Sequence, residues 1–134
     1  KNEKIKLAKD NKIRRVVLCS GKVYYDLYEE REKRGIDDVY LLRVEQLYPF
    51  PAEQILKEMR NYPNLKQVIW AQEEPKNMGA YTFVAPRLQE AFAELAAKGI
   101  SFRYLGRTER ASPAIGSPKV HQQEQTEIIK GCFK

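Results

Sequence analysis

The sequence predicts a three-layer α/β/α domain on a mainly parallel sheet. Three observations carry this: four apolar runs of strand length, helical stripes between them, and connections long enough to join parallel strands. The runs are Val16 to Cys19, Val39 to Val44, Gln67 to Ala71 and Phe102 to Leu105. They are rich in Val, Ile, Leu and aromatic residues and do not strictly alternate, as expected of strands covered on both faces.

The first helical stripe is Val23, Tyr24, Leu27 and Tyr28, with Ser20 as the expected N-cap and Gly35 closing it after a basic last turn. A second, short helix carries Ile55, Leu56 and Met59 behind Pro51 and stops at Tyr62-Pro63. Tyr81, Val84, Leu88, Phe92 and Leu95 share one face of a third helix that ends at Lys98-Gly99. Pro86 lies inside that pattern, so the helix either kinks there or starts its regular part after it. Ser117-Pro118 opens a last helix, in which Val120, Ile128, Ile129 and Cys132 are the core candidates. The predicted organisation is a polar, basic segment over residues 1–13, either an edge strand or a linker, followed by one domain over 14–134. No repeat or low-complexity tract interrupts it, and Ala111 to Pro118 reads as a loop rich in Ser, Pro and Gly.

At 134 residues, 43% hydrophobic and 31% charged, the chain has the balance of a folded domain with a single core. No apolar run approaches the roughly 20 residues of a membrane-spanning helix, and the expectation is a soluble, intracellular protein. Cys19 and Cys132 form no CxxC or Cys/His set, which argues against zinc and disulfide scaffolds. The formal charge of +6 raises the possibility of nucleic-acid binding. Half of it, however, comes from the first twelve residues, where five lysines outnumber Glu3 and Asp10. The remainder mixes both signs, as in Glu29 to Arg34, so nucleic acid is not an expected partner.

Ligands of open parallel sheets bind beyond the carboxyl ends of the strands, and polar residues gather at those ends. Ser20-Gly21-Lys22 follows the first strand; Arg43, Glu45 and Gln46 follow the second; Gln72-Glu73-Glu74 follows the third; and Gly106-Arg107 follows the fourth. Ser20-Gly21-Lys22 is either an anion site at a helix N-terminus or an ordinary capped helix, and neither GxGxxG nor GxxxxGK[ST] is present. Glu73-Glu74 reads as a source of ion pairs, with Lys76 or Arg43 as partners, more than as an acid/base pair, because adjacent strand residues point apart. The absence of an acidic cluster after the first strand rules out a receiver-like phosphorylation domain. His121, the only histidine, reads as a surface residue in the first turn of the last helix. The chain holds no complete catalytic set and no metal site.

At these same junctions the segments Cys19 to Leu27, Glu45 to Pro51, Trp70 to Asn77, and Tyr104 to Arg107 continuing through Ala111–Gly116 to Val120-His121 resemble the C-terminal region of the decarboxylating component of 2-oxoglutarate dehydrogenase. The resemblance covers nearly everything from residue 14 onward. The wording of Ser20 to Leu27 separates it from related pyruvate and branched-chain enzymes, and Met78 stands where many relatives have Gln.

The resemblance implies a transketolase C-terminal-like fold. It also implies a parent enzyme of the citric acid cycle that uses thiamine diphosphate and magnesium, both held by preceding domains absent here. That enzyme passes a succinyl group to the lipoyl group of a dihydrolipoyl succinyltransferase partner and works as a homodimer. The implied location is the cytoplasm of a bacterium or the mitochondrial matrix of a eukaryote. The fragment itself is expected to be inactive and without cofactor, lending support to the dimer and bordering the active-site entrance. Lys1 in place of a methionine points to truncation or processing. For an anionic effector of nucleotide or acyl-coenzyme type, the candidates are Ser20, Lys22, Arg43 and Gln72. For interdomain or dimer contacts they are Glu73, Glu74, Asn77, Tyr81 and His121. The alternative is a stand-alone small-molecule or nucleotide-binding module of the same fold.

Overall fold

A computed structural model describes residues 12–45, 51–75, 81–107 and 118–133. In chain order these form β1 (Arg15–Cys19), α1 (Val23–Arg34), β2 (Val39–Arg43), α2 (Ala52–Met59), β3 (Gln67–Pro75), α3 (Tyr81–Ala97), β4 (Ser101–Arg107) and α4 (Pro118–Phe133). Residues 1–11 of the segment 1–13, expected as an edge strand or a linker, and residues 111–117 of the expected loop Ala111 to Pro118 lie outside the described residues.

Among the described residues the sheet runs β2-β1-β3-β4, and every pairing is parallel. Val17 sits opposite Leu41 on one side and Ile69 on the other. The chain steps one way from β1 to β2 and the other way from β2 across to β3, so the order reverses between β1 and β3. In open α/β sheets such a reversal marks where ligands bind, beyond the carboxyl ends of the strands.

Side chains alternate across the strands and feed two cores. Val16, Leu18, Val68 and Trp70 pack with Ile55, Leu56 and Met59 of α2 and with Val84, Leu88 and Leu95 of α3. Val17, Cys19, Ile69 and Ala71 pack with Val23 and Leu27 of α1 and with Ile128, Cys132 and Phe133 of α4. Helices therefore cover both faces, and all five residues of β1 are buried. Each fully buried aliphatic side chain contributes roughly 1.5–3 kcal/mol relative to exposure, and β1 and β3, the two inner strands, carry most of those in the sheet.

Three elements differ from the sequence reading. Ser20 does not cap α1. Lys22 occupies the cap position without a side-chain bond, and the turn is made by Gly21 at φ 79°, with Tyr24 N–H donating to Gly21 O at 3.3 Å. Strand β3 runs four residues past Ala71, because Pro75 aligns with Arg107 beyond a register shift, so Gln72, Glu73 and Glu74 belong to the strand. Helix α3 starts at Tyr81 and continues through Pro86, so its regular part does not begin after the proline. The last turn of α1 is basic as expected, and within it Arg31 is buried: its guanidinium donates to Val39 O at 3.4 Å and lies 5.4 Å from the Tyr28 ring. Gly35 closes α1 as expected, in a left-handed conformation with its N–H directed to Arg31 O and Glu32 O.

Candidate functional site at the carboxyl edge of the sheet

The register places Cys19 beside Arg43 and Ala71, and Ala71 beside Leu105, so the residues that follow lie along one edge. Strand alternation then divides the candidates between the two faces. Arg43 falls on the α1/α4 face. Its Nη1 donates to Tyr25 Oη at 2.8 Å, its guanidinium carbon lies 4.9 Å from the Tyr25 ring and 5.5 Å from the Tyr24 ring, and it forms an ion pair with Glu45. The Tyr25 hydrogen bond, followed by the Glu45 charge, raises the Arg43 pKa, so the cation is permanent. Lys22 is exposed beside this cluster, and its carbonyl accepts Tyr25 N–H at 3.0 Å. Ser20 is half-buried where β1 ends.

Gln72 is not placed with these three. It is buried on the α2/α3 face, where Oε1 accepts from Trp70 Nε1 at 3.0 Å and from Tyr81 N–H at 3.0 Å, while Nε2 donates to Glu74 O at 3.1 Å. An amide engaged in this way has its polar atoms turned into the fold.

The two glutamates separate, as adjacent strand residues do. Glu73 Oε1 accepts from Gln125 Nε2 of α4 at 3.0 Å, and the same nitrogen reaches Asp26 Oδ2 of α1 at 3.2 Å. Glu74 is exposed, and its carbonyl also receives Tyr104 Oη at 3.4 Å. Arg43, one of the expected ion-pair partners for these glutamates, pairs with Glu45 instead. Tyr81 is half-buried with its ring 4.6 Å from Tyr104. Asn77 and the side chain of His121 lie outside the described residues, although His121 falls in α4 as expected.

Sequence reasoning missed Tyr25 and Gln125. Tyr25 is 55% exposed, and its position off the Val23–Leu27 stripe was the available signal. Gln125 left no local signal, since its partners are 52 and 99 residues away in sequence. Beside Arg43 a cavity of about 340 Å³ opens between the end of β2 and α2, lined by Leu42, Val44, Glu45, Ile55 and Glu58 among others.

The edge offers fixed cations, an aromatic shelf and carboxylates, but among the described residues it lacks an activated nucleophile. Both thiols are buried, and burial pushes Cys19 and Cys132 up to about 12. Their raised values favour the neutral thiol in the folded chain. Their stabilising effect is therefore complete below the ordinary value near 9 and is lost as pH rises through about 12. At pH 8 the native chain is expected to resist a disulfide-exchange thiol reagent, while the urea-unfolded chain takes up two equivalents, one per cysteine. Prompt labelling of the native chain would contradict this burial.

A family model described as 2-oxoglutarate dehydrogenase C-terminal matches residues 1–133. The chain belongs to that family. It is 62% identical over 133 residues to the 2-oxoglutarate dehydrogenase E1 component of Brucella anthropi, and equally so to that of Brucella ovis. The Brucella abortus protein of the same name is 61% identical. In each case the match covers 99% of this chain and 13% of the relative, so this chain spans about an eighth of their length. Among solved structures, a split-gene transketolase described as an inactive beta4 tetramer superposes with a TM-score of 0.59 at 16% identity, covering 90% of this chain and 38% of that one. The 2-oxoglutarate dehydrogenase C-terminal domain thus has the transketolase-type fold that the resemblance implied, on the α/β/α layering that periodicity predicted.

Proposed function

We propose that this domain is the noncatalytic C-terminal part of a thiamine-dependent 2-oxoglutarate dehydrogenase, whose whole chain oxidatively decarboxylates 2-oxoglutarate and passes the succinyl group to a lipoyl-bearing succinyltransferase. The observation that carries the reading is the 62% identity to E1 components along the full length of this chain. Thiamine diphosphate with magnesium supplies the carbanion-stabilising chemistry of such an enzyme. The described residues do not fit that group, since they include no cluster of three or more His, Cys, Asp or Glu side chains able to hold a metal. In this reading the chemistry belongs to the rest of the parent chain.

The contribution of this domain is structural. Glu73, Glu74 and Tyr81 lie along the edge offered to the parent's other domains and to its dimer partner, and Asn77 and His121 are the further contact candidates from the sequence. The bacterial relatives support a cytoplasmic setting in the citric acid cycle. No helix among the described residues is long and apolar enough to cross a membrane. Calorimetric titration of the 134-residue chain with thiamine diphosphate and magnesium is expected to give no saturable heat, and an assay of 2-oxoglutarate decarboxylation no turnover. Binding with activity would overturn the assignment.

Ser20, Lys22 and Arg43 are the residues of this edge suited to an anionic effector, with the Tyr25 ring as a flat neighbour. Gln72 has a different role. Replacing Lys22 and Arg43 together by alanine is expected to weaken binding of AMP or acetyl-coenzyme A roughly 10- to 100-fold, the range of one or two charge-assisted hydrogen bonds. An absence of calorimetric heat with the unaltered chain for both compounds would remove the site.

A further inference from the structure

The Gln72 amide joins the start of α3 to the Trp70 indole and to the end of β3. Its oxygen accepts the N–H of Tyr81, the first residue of α3, and the indole N–H of Trp70, which is fully buried in β3. Its nitrogen donates to the Glu74 carbonyl, near the end of β3. A second tie runs alongside: the Tyr81 ring rests 4.6 Å from Tyr104, whose hydroxyl reaches the same Glu74 carbonyl at 3.4 Å. Gly106 leaves the room, since a Cβ there would stand 2.9 Å from Gln72 O and would also meet the Tyr104 hydroxyl.

The first N–H groups of a helix have no partner within it and are usually served by a residue just before the helix. Here the N–H of Tyr81 is served by a side chain nine residues earlier, rooted in the sheet. Only an amide of this length does all of it. A carboxylate accepts twice but cannot donate to Glu74 O, and an apolar side chain leaves all three groups without this partner.

We propose that Gln72 is a coupling device: it binds the start of α3 to the end of β3 and to the Trp70 indole, so that anything packing on the start of α3 is transmitted to the centre of the sheet. The proposal is independent of the activity of the parent chain. It concerns the edge where the strands deliver their polar residues, and it makes Trp70 the sensor of events there.

The test is hydrogen exchange followed by mass spectrometry on the full-length chain containing this domain, for Gln72→Met and Gln72→Glu. In Gln72→Met, amides at the start of α3 are expected to exchange about tenfold faster, the factor of one lost hydrogen bond, while Val16 to Leu18 of β1 keep their protection. In Gln72→Glu the start of α3 is expected to stay protected, because the carboxylate still accepts and suits a helix N-terminus, while the end of β3 loosens. Unchanged exchange at the start of α3 in Gln72→Met overturns the proposal, as does equal acceleration of β1, which would make Gln72 a general stabiliser. Should Gln72→Met fail to fold, Gln72→Glu decides alone: loosening confined to the end of β3 supports the coupling, and any other pattern overturns it.

Discussion

Trp70→Ala is expected to lower the free energy of unfolding by about 3–5 kcal/mol, the range for removing a large aromatic from a packed core. Trp70 is fully buried in β3, with Leu18 of β1 and Tyr104 of β4 as its register partners. It reaches the core formed with α2 and α3. Three contributions act in the same direction. The apolar area of the indole is lost, the cavity collapses only in part between two neighbouring strands, and Gln72 Oε1 loses one of its two donors. Domains of this size are typically stable by about 5–15 kcal/mol, so the loss consumes much of the margin. Trp70 is the only tryptophan in the chain, so the comparison is made by far-UV circular dichroism in urea. Trp70→Phe is the milder companion, keeping most of the volume while removing the indole N–H. A cost below about 1 kcal/mol for the alanine variant would mean that β3 is not packed as described.

The sheet was legible in the sequence because its signal is local and redundant. Strands covered on both faces are written as continuous apolar runs, and each of the four appeared at its observed place. The crossovers between them are helical stripes, and Gly35 closed α1 where a left-handed cap was required. The extension of β3 was not legible. Gln72-Glu73-Glu74 has the composition of a loop, and what keeps it extended is pairing near Arg107 together with an amide that bonds to Trp70 and Tyr81. Such pairing is tertiary and leaves no trace in a window of neighbouring residues. The same limit applies to the edge residues. Arg43 and Gln72 both follow apolar runs and read alike as polar groups at strand ends. Their separation to opposite faces depends on counting through the strand from a known register, and an error of one residue reverses it. Arg43 is tied to α1 through the Tyr25 hydroxyl, a contact that the exposed face of α1 concealed.

Gly106→Ala is expected to cost about 1–3 kcal/mol although it adds a single methyl group, while Gly131→Ala, also a crowded site, is expected to cost less. Backbone conformation does not separate the two, since neither glycine has a positive φ. What separates them is what the new carbon meets. At Gly106 it would stand 2.9 Å from the Gln72 carbonyl oxygen and 2.8 Å from Tyr104 Cζ. The ring could swing aside only by leaving Tyr81 and Glu74, and the carbonyl belongs to the backbone of β3 and has no room to retreat. At Gly131 the new carbon would meet Leu105 Cδ2 at 2.6 Å, the far end of a flexible side chain that is only half-buried. A rotamer change there absorbs the contact at a cost of order 0.5–1.5 kcal/mol. In thermal melts the Gly106 variant is expected to lose roughly 4–12 °C, at about 4 °C per kcal/mol for a domain of this length, and the Gly131 variant less. Equal losses would show that β3 yields as readily as a leucine side chain. The close approach of β4 to the Gln72 backbone would then be incidental, and the coupling between the start of α3 and Trp70 would rest on the amide alone.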